Sequence, residues 1–194
     1  MARLIFATHN SNKLFEVSKL LDNQYDLRDL NSIGVTDEIP ETGDTLEENA
    51  RIKARYVHEH FGMNVFADDT GLEVEVLNGQ PGVYTARYAG DECDSNKNME
   101  KLLKVLEGEN NRQAQFRTVI CLILGENEYL FEGIVKGRIA LQKSGAEGFG
   151  YDPIFIPDGY RKTFAEMPIE EKNKISHRGL AIEKLTKFLK EIGE

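Results

Sequence analysis

A chain of 194 residues, 40% of them hydrophobic, can bury a substantial core and fits one large domain or a two-lobed one. Its formal net charge of -9 excludes non-specific adhesion to DNA, RNA or anionic lipid, leaving a small anionic substrate where lysines and arginines gather locally. No run approaches the roughly 20 apolar residues of a membrane span, the N-terminus lacks a signal-peptide layout, and Cys93 and Cys121 show no zinc or disulfide spacing, so a soluble cytoplasmic protein with reduced thiols is expected.

The first element is "RLIFA", Arg3 to Ala7, of buried-strand length, after which Leu14, Val17, Leu20 and Leu21 recur at helical spacing. Between them lies "THNSNK", Thr8 to Lys13, where a helix start would aim free backbone N–H groups at the loop and favour an anion. Thr45 and Glu48 form a capping box for a helix through Leu46, Ala50, Ala54, Val57 and Phe61. "NVFAD", Asn64 to Asp68, reads as a strand, "DDTG" as a turn, and "LEVEV", Leu72 to Val76, as a second, half-exposed strand. Asp94 or Ser95 caps a helix carrying Met99, Leu102, Leu103 and Leu106, with Gly108 placed to end it. From Gln115 to about Leu141 two or three β-rich runs predict an antiparallel meander. The glycine- and aromatic-rich "GAEGFGYDP" follows, and Leu180, Ala181, Leu185, Phe188, Leu189 and Ile192 mark a closing helix with Ser176 as N-cap. With no linker or repeat, any two lobes share one sheet or pack closely, and a cleft between them is the expected binding place.

Asp68 and Asp69 place at least one oxygen ligand for a hard cation at a strand end; taken alone, the dipeptide is more simply a capped turn. "THNSNK" lacks the glycines of a Walker A loop yet offers a hydroxyl, amides and one lysine to phosphate oxygens; taken alone it reads equally well as a polar strand-to-helix connection with an N-cap. Asn49 and Lys53 lie four apart, on one side of their helix; Glu41 is a candidate second metal ligand, and Lys53 reads more readily as a solvated surface lysine. "EKNKISHR" gathers Lys172, Lys174, His177 and Arg178 at a helix start, where the dipole disfavours cations unless an anion joins them. Phe149 and Tyr151 either offer planar surfaces to a base or plug the core, and Asp152 offers an acceptor for ring N–H groups. His58 and His60, two apart on a helix, cannot share an ion.

In order, "THNSNK", "ETGDTLEENA", "FADDTGLEV", "GVYTARYAG", "GFGYDPIF" and "EKNKISHR" resemble the inosine triphosphate pyrophosphatase (Ham1-like) family over nearly the whole chain. The resemblance implies one α/β domain over residues 1–194, with an elongated mixed sheet flanked by helices and an active-site cleft between two lobes. It also implies magnesium-dependent hydrolysis of ITP, dITP and XTP to monophosphate and pyrophosphate by a homodimer. On the matching motifs, Thr8, Asn10 and Lys13 would hold the triphosphate, with His9, Ser11 and Asn12 of the same loop beside them. Asp69 would bind magnesium and accept the proton of the attacking water, with Glu41 and Asp68 assisting the metal, and Thr70 would touch substrate. Phe149 would stack on the purine, with Gly150 and Tyr151 in its loop; Asp152 would read the ring edge, Lys172 face phosphate, and His177 with Arg178 recognise the 6-oxo group. Three residues depart from the family pattern: His9 replaces a common glycine, Pro40 stands where relatives often carry an acid, which leaves the second metal contact to Glu41, to Glu38 or to neither, and Thr70 replaces serine. The alternatives are a nucleotide-binding sensor without turnover and a phosphatase removing only the terminal phosphate.

Overall fold

A computed structural model describes residues 3–21 and 24–193. They form two compact units: residues 1–69, 118–133 and 178–194 make the first, and 70–117 with 134–177 the second.

In the first unit, β1 (Arg3–Phe6) runs parallel to β2 (Asp26–Asp29), with Arg3 opposite Asp26, and to β3 (Val65–Val74), with Ile5 opposite Val65. Parallel neighbours need crossovers: α1 (Ser11–Leu21) joins β1 to β2, and α2 (Leu46–Phe61) leads into β3. At the start of α2, Thr45 Oγ1 accepts from the Glu48 N–H at 3.1 Å, while Glu48 Oε2 accepts from the Asp44 N–H at 2.8 Å, one residue before the cap. Gly62, at φ +63°, ends that helix with its N–H on the His58 carbonyl, a conformation that costs glycine little. Leu4, Phe6, Val17, Leu21, Phe66, Ile120 and Leu122 form the core with Ala181, Ile182, Leu185 and Leu189 of α5 (His177–Ile192). The rings of Phe6 and Phe66 stack at 4.5 Å.

The second unit holds β4 (Pro81–Gly82), α3 (Ser95–Val105), β7 (Phe155–Pro157) and α4 (Ile169–Ile175). Its core gathers Leu72, Val74, Met99, Leu102, Leu106, Phe116, Phe155, Phe164 and Met167. Asp94 is the N-cap of α3, its Oδ1 accepting from the N–H groups of Asn96 and Lys97. Strands β5 (Gln113–Leu124) and β6 (Asn127–Ile139), like β3, contribute residues to both units. The strand order is β2-β1-β3-β5-β6-β7, with β4 on β3, and both parallel and antiparallel pairs occur, so the class is mixed α/β as expected.

The central departure from the sequence reading is β3. "DDTG" is not a turn between two strands: the ten residues from Val65 to Val74 are one continuous strand, followed by a 3-10 turn at Glu75–Leu77. Val65 to Asp69 are all buried and the strand is paired on either side, so ladder hydrogen bonds and burial override the turn preference of Asp and Gly. Two short elements carried no periodic signal: β2, whose "DLRD" is mostly polar, and α4. Helix α3 ends at Val105 with Leu106 as its C-cap, and Gly108 follows at φ +80°.

Candidate active site

Because successive strand residues face opposite sides, Asp68 and Asp69, at the middle of β3, meet different helices. Asp68 Oδ1 accepts from Lys13 Nζ of α1 at 2.8 Å, and its Oδ2 from Arg178 Nε of α5 at 3.3 Å. Arg178 Nη1 also donates to Glu16 Oε2, and Asp68, Arg178 and Glu16 are all buried. Buried charges persist when paired and hydrogen-bonded, and here two cations oppose two carboxylates. Burial alone would raise the pKa of Asp68; the charges of Lys13, Arg178 and Lys53 outweigh it and hold the carboxyl well below the usual range. Burial likewise opposes the charge on Arg178, and Asp68 and Glu16 more than restore it.

On the other side, Asp69 Oδ2 accepts from Asn49 Nδ2 at 3.1 Å, and its Oδ1 lies 3.8 Å from Lys53 Nζ, both partners coming from α2. Lys53 Nζ also donates to Glu41 Oε1. Lys53 is therefore no surface lysine: only 8% of it is exposed, and it stands between two carboxylates. Burial opposes its charge, but Asp69, Glu41 and Asp68 push its pKa upward. Asp69 is raised from the ordinary carboxylate value, first by burial and then by the Glu41 charge, against the pull of Lys53 and Lys13. A buried carboxylate with a raised pKa is a better proton acceptor than a solvated one.

The loop before α1 is tied by its own side chains. Thr8, buried, accepts the Asn10 N–H on Oγ1 at 3.1 Å, and Asn10 Oδ1 accepts from the N–H groups of Asn12 and Lys13 at 3.0 and 3.1 Å. Asn10 thus caps α1 and occupies two of the backbone donors that the sequence reading offered to phosphate. Asn10, Ser11 and Asn12 are exposed, and His9 Nε2 donates to the Asp37 carbonyl at 3.1 Å. The Lys13 ammonium is what this loop sends inward, onto Asp68.

In the second unit, Asp152 Oδ2 accepts from both the Phe149 N–H at 2.8 Å and Lys172 Nζ at 2.7 Å, and Lys172 Nζ lies 5.3 Å from the centroid of the Phe149 ring. Lys172, which the resemblance sets facing phosphate, is instead buried against this carboxylate. Gly148, at φ +75°, permits the tight loop: a Cβ there would lie 2.1 Å from Asp152 Oδ2. Phe149 and Gly150 remain half-buried, as does Thr70. Tyr151 differs from the expectation of a planar surface for a base. Its ring is in the core, its hydroxyl donates to the Thr85 carbonyl at 2.9 Å, and burial pushes the hydroxyl pKa up. An aromatic in a glycine-rich loop carries no sequence signal separating those two fates. His177 is buried, its ring stacked on Phe116 at 4.6 Å. Three residues that the sequence reading left out of the site, Lys53, Asn49 and Glu16, touch it directly. For Asn49 the four-residue spacing to Lys53 was the available signal; for Glu16 there was none.

Among the described residues no group of three or more His, Cys, Asp or Glu side chains could hold a metal. Glu41 and Asp69 nevertheless converge on one cation, the Lys53 ammonium. Two carboxylates without nitrogen or sulfur suit magnesium, which takes one or two protein carboxylates and completes its shell with water and phosphate oxygens.

The model of the Ham1 family matches residues 4–188. A dITP/XTP pyrophosphatase of Flavobacterium psychrophilum is 53% identical over 188 residues, 97% of this chain and 99% of that one. Another, from Christiangramia forsetii, is 53% identical over 96% of this chain and 98% of its own. A solved HAM1 protein from Coxiella burnetii superposes with a TM-score of 0.90 at 39% identity, covering 98% of this chain and 100% of that one. Matched from end to end in sequence and in fold, the chain belongs to the Ham1 family.

Proposed function

We propose that the protein is a nucleoside triphosphate pyrophosphatase that hydrolyses deaminated purine nucleotides, dITP, ITP and XTP, to the monophosphate and pyrophosphate. The observation that carries this reading is Asp69, buried with a raised pKa and flanked by Lys53, Glu41 and Asn49, in a chain 53% identical to a dITP/XTP pyrophosphatase. Asp69 and Glu41 would hold a magnesium ion, whose charge neutralises phosphate oxygens. Lys13, with Thr8 and the exposed amides of its loop, holds the triphosphate. Water attacks the α-phosphorus, the bond to the bridging oxygen of the departing pyrophosphate breaks, and Asp69 accepts the proton of the water. No covalent intermediate is needed, because positioning and charge supply most of phosphoryl-transfer catalysis.

Phe149 stacks on the base, with Gly150 beside it, Asp152 accepts from the ring edge, and His177 and Arg178 donate to the 6-oxo oxygen. Adenine presents an amino group there, and leaving buried donors unpaired costs about 1–3 kcal/mol each, which disfavours ATP. Thr70 touches the substrate, and Lys172 supports Phe149. The working form we propose is a cytoplasmic homodimer that takes a purine nucleoside triphosphate as its partner and neither DNA nor RNA, in keeping with the net charge of -9. No helix among the described residues is long and apolar enough to cross a membrane.

Asp69→Asn tests the reading. Loss of general-base function is expected to lower kcat by about 10²–10⁴-fold while leaving ITP affinity, measured by calorimetry, near that of the wild type; undiminished turnover would remove Asp69 from the mechanism.

A further inference from the structure

Asparagine is a poor choice for a helix interior, because its amide competes for backbone partners, and burying an amide without hydrogen bonds is costly. Asn49 sits in the first full turn of α2 with no exposed surface. Both ends of its side chain are used. Its Oδ1 accepts from the Gly43 N–H at 2.8 Å, and its Nδ2 donates to Asp69 Oδ2 at 3.1 Å. The orientation of the amide follows from chemistry: a backbone N–H can only donate and a carboxylate only accepts. A Cβ on Gly43 would meet Glu48 Cβ at 2.6 Å and Asn49 Oδ1 at 2.8 Å, so the loop is pressed against the amide. Gly43 lies two residues beyond Glu41, whose carboxylate pairs with Lys53. One buried amide therefore links the loop that carries Glu41 to the carboxylate of Asp69.

We infer that Asn49 is a positioning residue for the pyrophosphatase reaction: it fixes the rotation of the Asp69 carboxylate, so that Oδ1 faces the Lys53 and Glu41 side, and it sets the Glu41 loop to the same register. The inference rests on the role given to Asp69 above. A neutral donor suits this task, since it holds one carboxylate oxygen without supplying a charge that would compete with Lys53 or with a cation at Glu41 and Asp69.

The test compares Asn49→Ala, Asn49→Asp, Asp69→Asn and the Asn49→Ala/Asp69→Asn double variant. It measures kcat and KM for ITP, the affinity for Mn2+ alone from the electron paramagnetic resonance of the free ion, and the thermal midpoint. Outer-shell partners of metal ligands typically contribute about 10–100-fold in affinity or activity, so Asn49→Ala is expected to lower kcat and weaken Mn2+ binding by about that much, with KM within about threefold. Asn49→Asp retains the acceptor for Gly43 and the shape of the side chain but places a carboxylate against Asp69; its kcat is expected to stay low. In the Asp69→Asn background, Asn49→Ala is expected to weaken Mn2+ binding less than it does in the wild type, because only the Glu41 loop is then left for it to misplace. A folded Asn49→Ala protein with wild-type kcat, an Asn49→Asp protein with restored kcat, or equal losses of Mn2+ affinity in both backgrounds would overturn the inference. Should Asn49→Ala not fold, the isosteric Asn49→Asp protein decides alone. If Asp69→Asn is inactive while Asn49→Ala is not, only this inference falls; if Asp69→Asn retains turnover, the reading beneath it falls too.

Discussion

Asp68 and Asp69 are identical in composition and adjacent in the chain, and the pleat of β3 gives them different work. Asp68 is the anchor of a buried ion cluster with Lys13 and Arg178, whereas Asp69 shares its cation with Glu41 and keeps a raised pKa. The depressed pKa of Asp68 has a thermodynamic consequence. A carboxylate whose folded pKa lies below its unfolded value of 3.8 stabilises the fold above that pH and loses the contribution as pH falls toward the folded pKa. Asp68→Asn leaves Lys13 and Arg178 facing a neutral amide, and breaking a buried pair from one side costs about 3–5 kcal/mol. Urea denaturation should show that deficit near neutral pH and a shrinking difference from the wild type as the medium is acidified; a pH-independent difference would contradict the assignment. At this scale the acidic pair and Lys13 were legible in the sequence, because carboxylates within an apolar run and a lysine at a strand-to-helix junction stand out. Lys53 was not, because a helical lysine reads as solvated until Glu41 and Asp69, distant in the chain, bury it. Tyr151 was left open between base and core for the mirror reason: its core partners come from other parts of the second unit.

Among elements, those with local chemistry were the legible ones. The caps of α2 and α3 were visible as Thr45 with Glu48 and as Asp94, since capping involves residues two or three apart. The continuity of β3 was hidden, because "DDTG" has turn composition and only neighbouring strands make it extend. The loop from Gly148 to Asp152 is a third case: its glycines announce a turn, but not the carboxylate they enclose. At Gly148 a methyl group would meet two obstacles, φ +75° and Asp152 Oδ2 at 2.1 Å; at Gly159, φ +83°, nothing lies within 4 Å. Gly148→Ala should therefore displace Asp152 from the Phe149 N–H and Lys172, raising KM for ITP by about tenfold or more, the equivalent of at least one lost charge-assisted hydrogen bond. Gly159→Ala, with backbone strain of about 1–2 kcal/mol, should lower the thermal midpoint and leave KM unchanged. Equal KM values for the two variants would show that the enclosed carboxylate does not organise the base-binding loop.

For the whole molecule, a net charge of -9 has to be reconciled with a polyanionic substrate. The described structure does so locally: Lys13, Lys53, Lys172 and Arg178 are each held by carboxylates, which fixes cations in place before any nucleotide arrives. Composition alone argued against non-specific nucleic-acid binding but could not reveal these pairings, since every one joins residues at least twelve positions apart. The chain passes between its two units in β3, β5 and β6 and at the start of α5, and Asp69 and Thr70 fall on either side of the first passage. The most direct test of the account is a digest of ITP and of ATP with magnesium, followed by anion-exchange chromatography that resolves all products. The account predicts IMP and pyrophosphate in equal amounts from ITP, with ATP left largely intact; IDP and orthophosphate, or equal consumption of ATP, would contradict it.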